Sequence, residues 1–379
     1  MLVGRKLGSS PDVRSIKRNL AWRLADRACA DVLDRLSLQY VLYPSSFAVV
    51  GDPWFQACDV VQLHNTHGSY FSHSALPLLS RRRPVVWFLQ DQWAFTGHVA
   101  YSYDCERWRN GCGLCPYLHE YPGLARDTTA TLWRWKRNVY ARSRLTVVAP
   151  SRWLARLASE SPLLSRFPVR RIPNSVDLER YKPQDQAAAR IRLDLDPDRR
   201  VVLFSAFDLD DRRMGGTVLA RALERLRDLD FELVLAGGSE PPGLGRPVRA
   251  LGRIDQDETM ADVYSAADIF ALPTLAENLS NALLESSACG IPAVSFDVGG
   301  VPDVVRHLDT GYLAPVGDAD GLAEGIRLLL REQDVRARLG ENARRLAETE
   351  FSLESQATSF GELYEELIEE RSAGAVALA

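Results

Sequence analysis

The chain has 379 residues, 46% of them hydrophobic and 25% charged, with a formal net charge of -4. That length suits two domains of ordinary size, and the composition is that of a globular protein, not of a disordered or fibrous one. No run of about 18 apolar residues occurs, the opening MLVGRKLGSS is no signal peptide, and six cysteines make no disulfide scaffold, so a reducing cytoplasm is expected.

The charge is unevenly spread. Residues 1–172 carry 24 Lys+Arg against 12 Asp+Glu, and residues 173–379 carry 22 against 38. A basic first half can attract an anionic acceptor or lipid headgroups at the inner face of a membrane; alternatively, the two halves face each other with opposite charge. Nucleic acid is disfavoured, because the basic residues are scattered and no binding motif accompanies them.

The chain opens Met1-Leu2-Val3-Gly4-Arg5-Lys6, then Ser9-Ser10-Pro11-Asp12. A doubly wound α/β domain normally begins with an apolar strand, a glycine turn and a helix. That first strand–helix unit is not legible here, so it is expected to be missing, through a late start or a shortened variant. Residues 13–42 read as helices, with Ile16, Leu20, Leu24, Val32 and Leu36 at helical spacing and facing a core. Residues 59–64 read as a strand, and Asn65-Thr66-His67-Gly68 as a loop at its carboxyl end. Ligands bind at such ends in open α/β sheets, which makes His64 and His67 candidates for contact with an acceptor. Another strand, residues 84–89, runs into Gln90-Asp91-Gln92-Trp93-Ala94-Phe95-Thr96-Gly97-His98. Cys105, Cys112 and Cys115 follow with the spacing C-x6-C-x2-C. With His98 they could form a Cys3His structural zinc site; buried thiols or a redox-sensitive loop are the other reading. Residues 128–144 read as a helix whose Trp133, Trp135 and Tyr140 pack in a core. A strand at residues 145–151 leads on to a linker at residues 169–177.

The second half begins with a buried strand at residues 201–206. A loop from Asp210 to Gly216, DDRRMGG, and a helix follow. Another strand covers residues 233–238, and then comes Gly252-Arg253-Ile254. The stretch from Ala266 to Gly300, AADIFALPTLAENLSNALLESSACGIPAVSFDVGG, reads as strand, loop, helix and strand. Ser280 is the expected N-cap, Gly290 the stop, and Pro292 lies just beyond. A helix start offers free N–H groups and the positive end of a dipole, which suit phosphate. Glu277 and Glu285 would repel phosphate; a carboxylate instead accepts two hydrogen bonds and can grip sugar hydroxyls. A nucleotide diphosphate sugar fits this combination. From residue 322 onwards the chain reads as helical, and residues 372–379 as disordered.

The stretch ENLSNALLESSACGIPAVSFDVGGVPDVV resembles the glutamate-x7-glutamate region of the retaining family-4 glycosyltransferases (glycosyl transferases group 1). That resemblance implies the GT-B fold: two Rossmann-like doubly wound domains facing a central cleft. The domains are expected at 1–172 (acceptor side), 173–356 (nucleotide-sugar side) and 357–379 (a helix crossing back, then the tail). It implies that Glu285 binds the ribose, that Glu277 lies by the donor sugar, and that the amides of Leu279, Ser280 and Asn281 hold the distal phosphate. DDRRMGG resembles an Arg-Lys-Gly turn, with Arg213 and Gly215 at the diphosphate and Met214 where a lysine is expected. Gly252, Arg253 and Ile254 resemble the segment that reads the base. Gln90-Asp91 resembles a His-Asp pair near the reaction centre. Gln cannot take up a proton near pH 7, so Asp91, His67 or His98 would compensate. The implied function is a retaining transferase that moves a sugar from a nucleotide diphosphate donor to the hydroxyl of a glycan or lipid-linked acceptor, in surface glycan or exopolysaccharide synthesis, with no cofactor required. The rival reading is an inactive glycosyltransferase-like scaffold subunit.

Overall fold

The computed structural model describes residues 2–3, 10–16, 19–205, 211–238, 244–245 and 247–376. Part of the expected opening (Gly4–Ser9), the end of the second half's first strand (Ala206), the start of its loop (Asp210) and the last three residues of the tail lie outside them. The chain divides into two units. Unit 1 comprises Met1–Pro150, Leu154–Arg171 and Gly361–Ala379; unit 2 comprises Ser151–Trp153 and Ile172–Phe360.

In unit 1, β1 (Leu2–Val3) and β2 (Arg14–Ser15) form a two-stranded parallel pair. A four-stranded parallel sheet holds β3 (Val61–His64), β4 (Val85–Phe88), β5 (Thr146–Ala149) and β6 (Val169–Arg171) in chain order. Every residue of β4 and β5 is buried, as continuous apolar runs in a covered parallel sheet should be. Trp133 is buried in the core as expected, whereas Trp135 is only half-buried beside it. Their indole N–H groups donate to the Trp108 carbonyl (2.9 Å) and to Ser74 Oγ (3.2 Å).

Residues 169–171, read as the start of the linker, form β6 instead, and two further expectations are overturned. A single helix, Leu20–Arg35, stands where residues 13–42 were read as helices. Its row Leu20, Leu24, Val32 and Leu36 does not face the core: these residues are 69%, 59%, 57% and 49% exposed. The inward face is set by buried Asp26, whose carboxylate accepts from the backbone N–H and the hydroxyl of Ser45 at 2.9 and 2.6 Å. That anchor turns the i, i+4 row outwards. The tail also differs, because the helix Leu353–Val376 continues through Ser372.

Unit 2 holds a six-stranded, all-parallel sheet. Its strands are β7 (Val201–Ser205), β8 (Glu232–Ala236), β9 (Val248–Ala250), β10 (Ile269–Leu272), β11 (Ala293–Phe296) and β12 (Gly311–Ala314). The spatial order is β9-β8-β7-β10-β11-β12. This is the doubly wound order in which the chain reverses direction between its first and fourth strands, and the crevice beyond the carboxyl ends at that reversal is where such sheets bind ligands. Here it lies between β7 and β10. The ends of β7, β8, β10 and β11 fall within two residues of the runs that announced them, whereas β9 and β12 were not announced.

Candidate functional site

Two loops meet at the carboxyl ends of β7 and β10. The first runs through the turn Arg212–Met214 to Gly215, and the second is Pro273–Ser280. The Leu275 N–H donates to the Arg213 carbonyl at 2.7 Å, and Thr274 Oγ1 donates to the same carbonyl at 3.1 Å. Gly215 has φ +72°, and a Cβ there would sit 1.9 Å from the Pro273 carbonyl oxygen. Only glycine fits that approach. On the far side, a Cβ at Gly300 would meet the Asn278 carbonyl oxygen at 1.7 Å. The glutamate loop is therefore clamped between two glycine-bearing turns.

Arg213 reaches across this junction. Its Nη1 donates to Glu277 Oε2 at 3.1 Å and to the Ala276 carbonyl at 3.2 Å. The other Glu277 oxygen accepts from the Asn278 N–H at 3.0 Å. Met214 does not share the site. Its side chain is buried in the core of unit 2, because a tight 3-10 turn sends successive side chains about 120° apart. The position expected to hold a cation thus faces inwards.

The helix Asn281–Ala288 starts at the same junction. Ser280 is its N-cap and accepts from the Leu283 N–H at 3.4 Å. The first-turn amides of Asn281 and Ala282 lie at this capped end, where a helix presents its donors. Asn174 Nδ2 lies 3.3 Å from the Leu279 carbonyl and from Asn281 Oδ1. Glu285, one turn in, is largely buried. Its Oε2 accepts from the Tyr264 hydroxyl at 2.9 Å. Burial pushes the carboxyl pKa up to about 7, although the Tyr264 hydrogen bond opposes the shift. Gly252, Arg253 and Ile254 follow β9, where the Gly252 carbonyl accepts from the Gly237 N–H at 2.9 Å. Asn174, Thr274 and Tyr264 were missed by sequence reasoning. Asn174 alone left a trace, as a polar residue wedged after Pro173 in the linker.

Unit 1 gathers a second group of side chains at the carboxyl ends of β3 and β4. His67 Nε2 lies 3.2 Å from Asp91 Oδ2, and Asp91 Oδ1 accepts from the Trp93 N–H at 2.8 Å. The His67 ring stacks on Trp93, with centroids 5.2 Å apart. Burial lowers the imidazole pKa against the pull of Asp91, and it raises that of Asp91 against the pull of His67. The Nε2 edge of His67 thus faces the Asp91 carboxyl. Gln90 precedes Asp91 and lines the same small hollow as His67. His64 ends β3, its Nε2 2.8 Å from Gln62 Nε2. Beneath the loop, fully buried Lys136 donates to the carbonyls of Trp93 and Thr96 and sits 3.5 Å over the Trp93 ring. Burial pulls its pKa down to about 7. A lone lysine among the tryptophans of a core-facing helix gave no signal in the sequence.

His98 does not join this group. It is 1% exposed, with Nδ1 2.9 Å from the Pro122 carbonyl oxygen and Nε2 3.4 Å from Cys115 Sγ. Neither nitrogen is left to face an acceptor. His98, Cys105, Cys112 and Cys115 line one small cavity. Yet among the described residues no three His, Cys, Asp or Glu side chains are arranged to hold a metal ion. The structure therefore does not support the zinc reading, and the cysteines are free thiols.

The model of the family described as glycosyl transferases group 1 matches residues 199–332. A D-inositol 3-phosphate glycosyltransferase of Rhodococcus erythropolis is 33% identical over 205 residues, which are 50% of this chain and 46% of that protein. One of the same description from Streptomyces bingchenggensis is 28% identical over 330 residues, covering 78% of this chain and 70% of its own length. This chain thus spans about half the length of the first of these relatives. Among solved structures, sucrose-phosphate synthase from Thermosynechococcus elongatus superposes with a TM-score of 0.62 at 22% identity, covering 88% of this chain and 82% of its own. Anabaena Alr3699/HepE in complex with UDP-glucose gives 0.63 at 19% identity, covering 92% and 94%. These likenesses show the fold: two α/β units with parallel sheets, of the GT-B kind.

Proposed function

We propose that the chain is a retaining glycosyltransferase of family 4, which transfers a sugar from a nucleotide diphosphate donor bound on unit 2 to an acceptor hydroxyl. One observation carries this reading. At the reversal point of a doubly wound sheet, a capped helix start, an arginine and two glutamates converge on the crevice that such folds use for ligands. The diphosphate is read by Arg213 and by the amides at Leu279, Ser280 and Asn281. The ribose hydroxyls donate to Glu285, and Glu277 lies by the sugar. Gly252, Arg253 and Ile254 lie by the base. The HepE structure holds UDP-glucose, and a uridine diphosphate sugar is the first donor to try.

In the reaction, the bond from the anomeric carbon to the diphosphate oxygen breaks. The acceptor oxygen forms its bond on the same face, and its proton passes to the departing diphosphate. Arg213 and the helix amides stabilise the charge that develops on the leaving group. His67, His64, Gln90 and Asp91 in unit 1 bind the acceptor's hydroxyls. The acceptor is a glycan or a lipid-linked saccharide of surface polysaccharide synthesis, and the protein works in the cytoplasm or at the inner face of the membrane.

The test pairs binding with turnover. Uridine diphosphate should bind by titration calorimetry, and Glu285→Ala should weaken it at least tenfold while the fold survives. Release of nucleoside diphosphate that requires an acceptor identifies a transferase. Binding without any turnover, across a panel of donors and acceptors, would instead favour the scaffold reading.

A further inference from the structure

A second concave site lies at the opposite end of the unit 1 sheet. It is an open groove of about 370 Å³ at the amino ends of β4 and β5, where residues 80–85, 144–146, 168 and the last helix come together. With strands of four residues at about 3.3 Å each, it lies roughly 13 Å from the ends that carry His64 and Asp91. It therefore belongs to neither group of residues described above.

Its lining is unusual in charge. Arg81, Arg82, Arg83, Arg144 and Arg371 surround it, with Glu370 as the one acid among them. Arg83 has a structural task, since its guanidinium donates to the carbonyls of Cys58 and Gln56, both at 2.6 Å. The guanidiniums of the other four make no ion pair and no hydrogen bond among the described residues. Arginines elsewhere in unit 1 do find acids: Arg109 pairs with Glu160 at 2.7 Å and Arg170 with Glu366 at 3.0 Å. The end of the helix Leu76–Arg82 accounts for two cations near its carbonyls. It does not account for Arg144 and Arg371, which come from other elements and add to the same repulsion. The floor is apolar, formed by Pro84, Val85, Leu145, Pro168 and Leu367. Several guanidinium forks around an apolar floor match a phosphate carried on a less polar body.

We propose that this groove is an anion-binding site that takes the phosphate group of a phosphorylated ligand, separately from the donor site of unit 2. An anionic lipid headgroup and a soluble phosphorylated compound share this chemistry. The experiment separates them with two probes on the full-length chain. The first is flotation with phosphatidylglycerol vesicles, against phosphatidylcholine vesicles as the neutral control. The second is calorimetric titration of inorganic pyrophosphate into chain saturated with uridine diphosphate. Each is run on the wild type and on Arg82→Gln/Arg144→Gln. These side chains are exposed and make no hydrogen bond or ion pair among the described residues, so the variant should unfold at the wild-type temperature; should it not, Arg81→Gln/Arg371→Gln replaces it. A lipid ligand predicts binding to phosphatidylglycerol only, weakened about tenfold or more in the variant. A soluble ligand predicts no flotation but a pyrophosphate affinity that falls by a similar factor. If the wild type and the variant match in both assays, the proposal is overturned.

Discussion

Glu285 couples its charge to pH in a direction that can be measured. Its folded pKa, about 7, lies above the unfolded value of 4.5 because the carboxyl is buried. Below pH 4.5 both states are protonated and the group costs nothing. Between 4.5 and 7 the unfolded chain ionises first, so stability falls as pH rises; above 7 the full penalty, roughly 3 kcal/mol, is in place. Glu285→Gln should therefore gain stability relative to the wild type across that window and level off above it. Urea unfolding at pH 5, 6, 7 and 8 measures the gap, and a constant gap would refute the buried-acid account. Ribose hydroxyls donate to the ionised form, so nucleotide affinity should rise with pH over the same range. Met214 makes the opposite point about residues. The sequence suggested that a lysine there would restore a phosphate contact. The buried methionine reverses that expectation: Met214→Lys should cost about 1–3 kcal/mol and leave nucleotide affinity no better. Asp91→Asn removes the charge that faces His67 and leaves one acceptor oxygen to serve both His67 and the Trp93 N–H. Transfer should then slow on the order of 100-fold, with uridine diphosphate affinity unchanged. A matching loss of nucleotide affinity would contradict the placement of this pair on the acceptor side.

Elements were more legible than side chains. Val85–Phe88 and Ile269–Leu272 are short apolar runs with punctuation on both sides, and each became a fully buried strand. The helix from Asn281 could be read because Ser280 and Gly290 marked both of its ends. What periodicity could not supply was the direction of a face. The row from Leu20 to Leu36 looks like a core stripe, but a single buried carboxylate, Asp26, decides which side turns in, and no local pattern reveals its partner Ser45. The His67–Asp91 pair and the lysine beneath it were hidden for a similar reason, since they join residues 24 to 69 positions apart. The clamp on the glutamate loop belongs to this scale too. Gly215→Ala would place a methyl against the Pro273 carbonyl in a left-handed backbone conformation. It should cost at least about 2 kcal/mol and weaken nucleotide binding, because both site loops must move. Ser280→Ala removes only a cap and should cost about 1 kcal/mol. Thermal unfolding with and without uridine diphosphate ranks the two; equal effects would mean that the glycine is not under steric constraint.

The last helix, Leu353–Val376, belongs to both units: residues up to Phe360 group with unit 2 and those from Gly361 onwards with unit 1. Within unit 1, Leu363 is buried and the Tyr364 hydroxyl donates to Gln62 Oε1 in β3. The exposed pair of Arg170 with Glu366 adds little, as surface ion pairs do. Removing residues 361–379 therefore strips an apolar cover and a strand contact from unit 1, while every residue of the donor site in unit 2 is kept. Hydrogen exchange can read the two units separately. In the intact chain, uridine diphosphate at 100 times its Kd should add up to about 2.7 kcal/mol of protection. That protection should appear in β7, β10 and the helix Asn281–Ala288. The truncated chain should show the same added protection there, faster exchange in β3, and little transfer activity. If truncation abolishes nucleotide protection in unit 2, the donor site depends on more than its own unit. If exchange in β3 is unchanged, the C-terminal helix is not what holds that edge of the sheet.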